Sequence, residues 1–336
     1  MSRSPVIETR GLTKHFGSHR TRVEAVRGLD LSIGAGELVA LLGPNGAGKS
    51  TTLRMLTTLT PPSSGTARVA GHDVLADPDA VRRAIGYVGQ GNGAGHQQRG
   101  RDELVSQGRA HGLSRARARE RADELVADLD LAAVVDRPTI GSSGGQRRRL
   151  DIAMGLVHAP DVLFLDEPST GLDPQNRAHL QDLVRRLHAE RACTVVLTTH
   201  YLEEADALAE RVVVVDHGRI VADDTATALK SALGDLLVLR LADPAAAARA
   251  ATRAERLRGR QGQPPSVTVE DREVRVRVAH GREAVAGLVA ALAADGDAVG
   301  SLEVSGPTLD DVFLALTGRR LREDGPGSER SEETAA

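Results

Sequence analysis

Residues 43 to 51 read Gly43-Pro44-Asn45-Gly46-Ala47-Gly48-Lys49-Ser50-Thr51, which fits the phosphate-cradling pattern G-x-x-x-x-G-K-[ST]. The apolar run Leu38–Leu42 in front of it reads as a buried strand, and Ser50–Leu59 behind it reads as a helix. Strand, glycine loop and helix are the context the pattern requires. Gly43, Gly46 and Gly48 let backbone N–H groups curl around a phosphate with no Cβ in the way. The helix N-terminus adds its partial positive charge. Lys49 supplies a full charge to the β/γ-phosphates, and the Ser50 hydroxyl is placed to hold Mg2+. A plain glycine turn would match the letters by chance, but the flanking strand and helix argue against it.

The 336 residues suffice for one large domain and a smaller one. At 40% hydrophobic the chain can build a core, and a net charge of -3 gives no electrostatic case for nucleic acid. Three Phe, two Tyr and no Trp leave no stacking platform for single strands. The lone Cys193 excludes an internal disulfide and a multi-cysteine zinc site, and reads as a small buried strand residue. Nothing approaches the ~18 consecutive apolar residues of a bilayer span, and the N-terminus lacks a signal-peptide core. Any membrane role is therefore expected to come through a partner.

Up to about residue 228, short apolar runs alternate with amphipathic stretches, the pattern of an α/β domain. Strands are expected at Val6–Thr9, Leu29–Ile33, Leu38–Leu42, Thr66–Val69, Ile85–Gly89, Val162–Leu165, Thr194–Thr198 and Val212–Asp216. An Arg-, Ala- and Leu-rich stretch within about residues 96–155 reads as a helical insertion. Its alternating Arg115, Arg117, Arg119 and Arg121 read as a solvated helix face.

The segment 234–318 offers strand Leu236–Leu241, helix Pro244–Leu257, a hairpin of Val267–Glu270 and Glu273–Val278, helix Glu283–Ala294 and strand Ala298–Val304. The order β-α-β-β-α-β is that of a split βαβ unit, so a small C-terminal α+β domain is expected, closed by a helix over Pro307–Thr317. Residues 319–336 are charged and non-periodic and read as a disordered tail.

Val162-Leu163-Phe164-Leu165-Asp166-Glu167 is an apolar strand ending in two acids. Downstream of a phosphate loop, an acid there serves as a Mg2+ ligand, which suits Asp166. Glu167, aimed differently, suits polarising an attacking water.

Five further segments resemble the ATP-binding subunits of ABC transporters, in that family's order. Ser142-Ser143-Gly144-Gly145-Gln146 resembles the signature loop and Gln90 the Q-loop glutamine. Ser169-Thr170-Gly171-Leu172-Asp173 resembles the D-loop, Thr198-Thr199-His200 the switch histidine, and Phe16 the aromatic that stacks on adenine. The resemblance covers about residues 5 to 228 and implies an α/β P-loop ABC ATPase domain, about residues 1–230, that binds ATP and Mg2+.

The resemblance further implies that two such domains pack head to tail. ATP would lie between the stretch from Gly43 to Thr51, with Phe16, on one copy and Ser143, Gly144, Gly145 and Gln146 on the other. Asp173 would bridge the interface; its plainer reading is a turn aspartate before Pro174. Ser50, Gln90 and Asp166 would serve the metal, Glu167 the water, and Gln90 and His200 the γ-phosphate. The family usually carries an apolar residue at the position of Ser142, so packing of that loop is in doubt. The run Gly89-Gln90-Gly91-Asn92-Gly93-Ala94-Gly95 is unusually glycine-rich. Family members meet the membrane subunit there, and glycine adds conformational freedom.

The ending Pro307-Thr308-Leu309-Asp310-Asp311-Val312-Phe313-Leu314-Ala315-Leu316-Thr317-Gly318 resembles that of drug-export subunits of the daunorubicin-resistance type. The reading that follows is an ATPase subunit of an export transporter. It would form a homodimer, or pair with a paralogue, and act with a separately encoded multi-spanning permease at the cytoplasmic face of the membrane. No nucleic acid partner is expected. The competing reading is an ABC-type ATPase that works on DNA or the ribosome, but such proteins usually carry two cassettes, long coiled coils or zinc cysteines.

Overall fold

The computed structural model describes residues 5–18, 21–91, 93, 95, 97–191, 193–257, 264–319 and 321. It falls into two compact units, one running to Asp223 and the other beginning at Asp224.

The first unit is built on a six-stranded sheet: β3 (Leu38–Leu42), β6 (Ile85–Val88), β7 (Val162–Asp166), β8 (Thr194–Thr199), β9 (Arg211–Asp216) and β10 (Arg219–Asp224). Their order is β10-β9-β3-β8-β7-β6. The pairs β9–β3, β3–β8, β8–β7 and β7–β6 are parallel. Every residue of β3, β7 and β8 is buried, as expected of central parallel strands covered on both faces. Their parallel register places the C-terminal ends of β3, β7 and β8 side by side, where ligands bind open α/β sheets. A second, antiparallel sheet runs β2 (Val23–Gly34), β1 (Pro5–Phe16), β4 (Ser64–Val69) and β5 (His72–Asp73). The two sheets share a core that includes Ile7, Leu31, Val39, Leu41, Leu53, Phe164 and Val213.

Six of the eight expected strands are two residues or less from their observed bounds. The hairpin strands β1 and β2 are much longer than their apolar centres suggested, and β5 and β10 were not foreseen; β10 is mostly exposed and has no buried run to mark it. The helix after the phosphate loop, α1, spans Lys49–Leu56 rather than reaching Leu59; Thr58 takes a positive φ of 63° and ends it.

Between β6 and β7 lie α3 (Gly100–Ala110), α4 (Arg115–Asp128) and α5 (Gly144–Leu156), preceded at Pro78–Ala84 by α2. The reading of a solvated arginine face on α4 fails at Arg121. It is 7% exposed and donates to Glu124 at 2.6 Å and to the Leu156 carbonyl at 3.2 Å. Cys193 is buried directly before β8. The helices α6 (Pro174–Arg191) and α7 (Leu202–Leu208) complete this unit.

The second unit opens with α8 (Ala226–Ser231), which packs on α11 (Leu309–Thr317). Between them come β11 (Asp235–Leu241), α9 (Pro244–Ala254), β12 (Ser266–Glu270), β13 (Glu273–Val278), α10 (Gly281–Ala294) and β14 (Val299–Ser305). The sheet order β12-β13-β11-β14, antiparallel throughout, is the split βαβ arrangement. Asp243 caps α9 by accepting from Ala246 N at 2.8 Å, with Pro244 in the first turn. Of the expected tail, only Arg319 and Leu321 fall among the described residues. No helix among the described residues is long and apolar enough to cross a membrane.

Candidate active site

Tight turns at the end of β3 set the phosphate loop. A Cβ at Gly43 would lie 2.1 Å from the Val215 carbonyl oxygen, and Gly48 takes φ 102° with the Ala25 carbonyl 2.4 Å from where its Cβ would be. These two glycines are therefore required by neighbouring backbone as well as by any phosphate. Only Gly46, with nothing within 4 Å, faces open space. Gly48 sits at the N-cap of α1 without a side-chain cap, so the first-turn amides lack intrahelical acceptors.

Lys49 is 4% exposed. Its Nζ donates to the carbonyls of Gly43 at 2.7 Å and Pro44 at 2.9 Å, and stands 3.7 Å from Glu167 Oε1. Burial pushes its pKa down, opposed by the charges of Glu167 and Asp166. Asp166 is fully buried at the end of β7. Its Oδ1 accepts from Ser50 Oγ at 2.8 Å and Thr198 Oγ1 at 2.7 Å, and Tyr87 donates to Oδ2 at 3.4 Å. Gln90 Nε2 donates to Ser50 Oγ at 3.2 Å. The Ser50 hydroxyl and the Asp166 carboxylate thus meet at the foot of the loop as hard-oxygen groups suited to Mg2+, and Gln90 reaches the same point with its amide nitrogen.

Glu167 has φ 48°, a left-handed conformation that a non-glycine residue holds only where surroundings impose it. Its amide donates to Thr198 Oγ1 at 2.9 Å, and Thr170 Oγ1 donates to its Oε2 at 3.3 Å. His200 Nδ1 lies 3.5 Å from Oε2. The His200 contact, then the Lys49 charge, hold this carboxyl below its ordinary range against the opposing cost of burial. Phosphate loop, Gln90 and Glu167 line a cleft of about 430 Å3 together with Val23, Glu24 and Ala25. Phe16 is 47% exposed on the strand paired with Val23, and Lys14 Nζ stands 5.0 Å over its ring.

The signature-like loop and Asp173 do not line this cleft. Ser143 is the N-cap of α5, which begins at Gly144. Ser143 Oγ accepts from Gln146 N at 3.3 Å, and Ser143 N donates to Gln146 Oε1 at 2.9 Å, a complete capping box. Ser142 is half-buried beside Ile140, which is 67% exposed. Both Asp173 oxygens are engaged at the start of α6: Asn176 N donates at 2.9 Å and Asn176 Nδ2 at 2.6 Å.

Several residues at the site were assigned no role from the sequence. Tyr87 and Thr198 complete the Asp166 shell. Tyr201 packs between His200, at 4.1 Å between ring centroids, and the Arg177 guanidinium, 4.1 Å from its ring. Glu204 is 1% exposed one turn past His200, and burial pushes its carboxyl upward. Arg148 on α5 is a further one, at 7% exposure.

A parallel α/β sheet with a glycine loop on α1 and an acid pair ending the second strand away defines a P-loop nucleotide-binding ATPase. Residues 26–170 match the family described as ABC transporter. The daunorubicin/doxorubicin resistance ATP-binding protein of Streptomyces peucetius is 47% identical over 98% of this chain and 96% of its own length. The linearmycin resistance ATP-binding protein of Bacillus subtilis is 32% identical over 95% of this chain and its full length. A solved dimeric ATP-binding cassette in a post-hydrolysis state with ADP and Pi aligns with TM-score 0.60 at 25% identity, over 65% of this chain and 98% of its own. The chain belongs to the ABC transporter ATP-binding family, whose domain binds and hydrolyses ATP.

Proposed function

We propose that this protein is the nucleotide-binding subunit of an export transporter and powers efflux of a hydrophobic drug or antibiotic through a separate multi-spanning permease. The observation that carries the reading is the joining of Lys49, Ser50, Gln90, Asp166, Glu167 and His200 around one cleft, in a chain aligned almost end to end with resistance ATP-binding proteins. None of the relatives reported above is described as acting on DNA or the ribosome.

In this reading, the unit running to Asp223 forms the ATP-binding domain, short of the expected 230 because α8 packs on α11, and the unit from Asp224, with the expected 234–318, an accessory domain, held peripherally at the cytoplasmic face of the membrane. Two copies, or one with a paralogue, close on two ATP molecules. Phe16 lies under adenine, and the stretch from Gly43 to Thr51 wraps the phosphates. Ser143, Gly144, Gly145 and Gln146 of a second copy meet the γ-phosphate with a helix N-terminus, and Asp173 faces the same interface. Ser50, Gln90 and Asp166 hold Mg2+, which supplies charge neutralisation to the phosphates. Arrival of the γ-phosphate draws Lys49 from Glu167, leaving that carboxylate free to take a proton from the attacking water. His200 holds Glu167 in place and, with Gln90, reports whether the γ-phosphate is present.

The test is a pull-down of tagged Glu167→Gln protein with ATP from detergent-solubilised native membranes, beside a steady-state phosphate-release assay of the wild type. Recovery of a multi-spanning permease in an ATP-sensitive manner supports the proposal. Recovery of ribosomes or DNA-repair proteins without a permease overturns it.

A further inference from the structure

The glycine-rich stretch carrying Gln90 ought to be loose, yet the helix that starts at the signature loop grips it. Arg148 lies one turn into α5 and spends its guanidinium on three backbone carbonyls in two separate segments, the end of β6 and the end of β7 with the turn after it. Nη1 donates to Gly89 O at 2.6 Å, Nη2 to Asp166 O at 3.1 Å and Nε to Pro168 O at 2.9 Å. One turn further along the same helix, Asp151 Oδ1 accepts from Gly93 N at 3.0 Å. The loop is thus pinned on both sides of Gln90 by one helix. The same arginine also ties the helix to the carbonyl of Asp166 and to the residue after Glu167.

We propose that Arg148 is a positioning residue that makes α5 the actuator of the catalytic cleft. Any rotation of the helical insertion carries Gly89, Asp166 and Pro168 with it, and therefore Gln90 and Glu167. A planar guanidinium with several donors in fixed directions suits this three-point link; an ammonium, as a point charge, cannot reproduce it. Backbone carbonyls, unlike side-chain acceptors, have no rotamers through which to escape the pull. The inference draws on the proposed function for the chemistry of the cleft, but the clamp itself is a property of the fold.

Arg148→Met and Arg148→Lys are compared with wild type by hydrogen–deuterium exchange without nucleotide, by Tm and by ATPase kinetics. Expected is faster exchange in peptides spanning 87–95 and 166–173 in both variants, with the phosphate-loop peptide unchanged. In turnover, kcat should fall on the order of 100-fold for Arg148→Met and about tenfold for Arg148→Lys, with KM for ATP within about twofold. A purely structural arginine would instead lower Tm and loosen the whole unit. Exchange unchanged at 87–95 and 166–173, or raised uniformly, overturns the proposal. Selective loosening in a protein whose wild type hydrolyses no ATP would uphold the clamp and overturn the function proposed above. The lysine variant keeps the buried charge and serves if the methionine variant does not fold.

Discussion

Replacing Glu167 with Gln separates two jobs that the cleft assigns to one carboxylate. Glutamine keeps the shape and an oxygen to accept from Thr170, but not the charge. With the charge goes the acceptor for a proton from water, and loss of a general base costs about 100- to 10,000-fold in turnover. The same change releases Lys49. At 3.7 Å and an effective dielectric of about 20, the gross Lys49–Glu167 attraction is about 4 kcal/mol. The carbonyls of Gly43 and Pro44 already hold the ammonium, and desolvation offsets much of the rest, so a net of about 1–2 kcal/mol remains. A γ-phosphate no longer competes with that pairing, and ATP should bind roughly 5- to 30-fold more tightly. Phosphate release measures the first effect, and calorimetric titration with Mg·ATP measures the second. Turnover at the wild-type rate would refute the base assignment. Weaker ATP binding would refute the electrostatic argument even if turnover fell.

Removing the Ser50 hydroxyl that bridges Asp166 and Gln90 should raise the Mg2+ concentration for half-maximal ATPase ~10- to 100-fold in Ser50→Ala, read from a Mg2+ titration. Gly43→Ala would drive a Cβ to 2.1 Å from a backbone oxygen, so its urea midpoint should fall by an equivalent of about 1–3 kcal/mol. Phe313 is fully buried on α11, and Phe313→Ala should cost the C-terminal unit about 3–5 kcal/mol, visible by calorimetry as an earlier transition of that unit.

His158 is stacked on His111 at 3.8 Å and bonded to the Ile85 carbonyl. Burial first, then the neighbouring His111, lowers its pKa from 6.5 to about 4. The unfolded chain therefore binds more protons between those values. The contribution is fully present above about 6.5 and is lost as pH falls towards 4. Partial solvent contact limits it to about 2 kcal/mol or less. His158→Gln should flatten Tm against pH across that window, and an unchanged slope would count against the linkage.

The central strands were legible because full burial leaves an unbroken apolar run, as in Val162–Leu165 and Val195–Leu197. The antiparallel β1 and β2 are buried only at intervals, so their ends looked like loop. In the site, residues whose type matches a chemical task at a fixed spacing were visible: Lys49, Ser50, Asp166 and Glu167; His200 and Gln90 were legible only through the family resemblance. Arg148 and Glu204 were not, because their significance lies in burial and in acceptors that come from distant loops. The arginine run of α4 misled for the same reason: spacing placed Arg121 with its neighbours, and only packing turned it inward.

With no tryptophan and two tyrosines in the whole chain, the aromatic placement has a spectroscopic consequence. Tyr87 touches Asp166, and Tyr201 is stacked between His200 and Arg177. All of the tyrosine emission of this protein therefore originates beside Asp166 and His200. Quenching of that emission on adding nucleotide, excited beyond the phenylalanine absorption band, would report events at the cleft, and a single tryptophan introduced at Phe16 would give a second, separately excitable reporter at its outer rim.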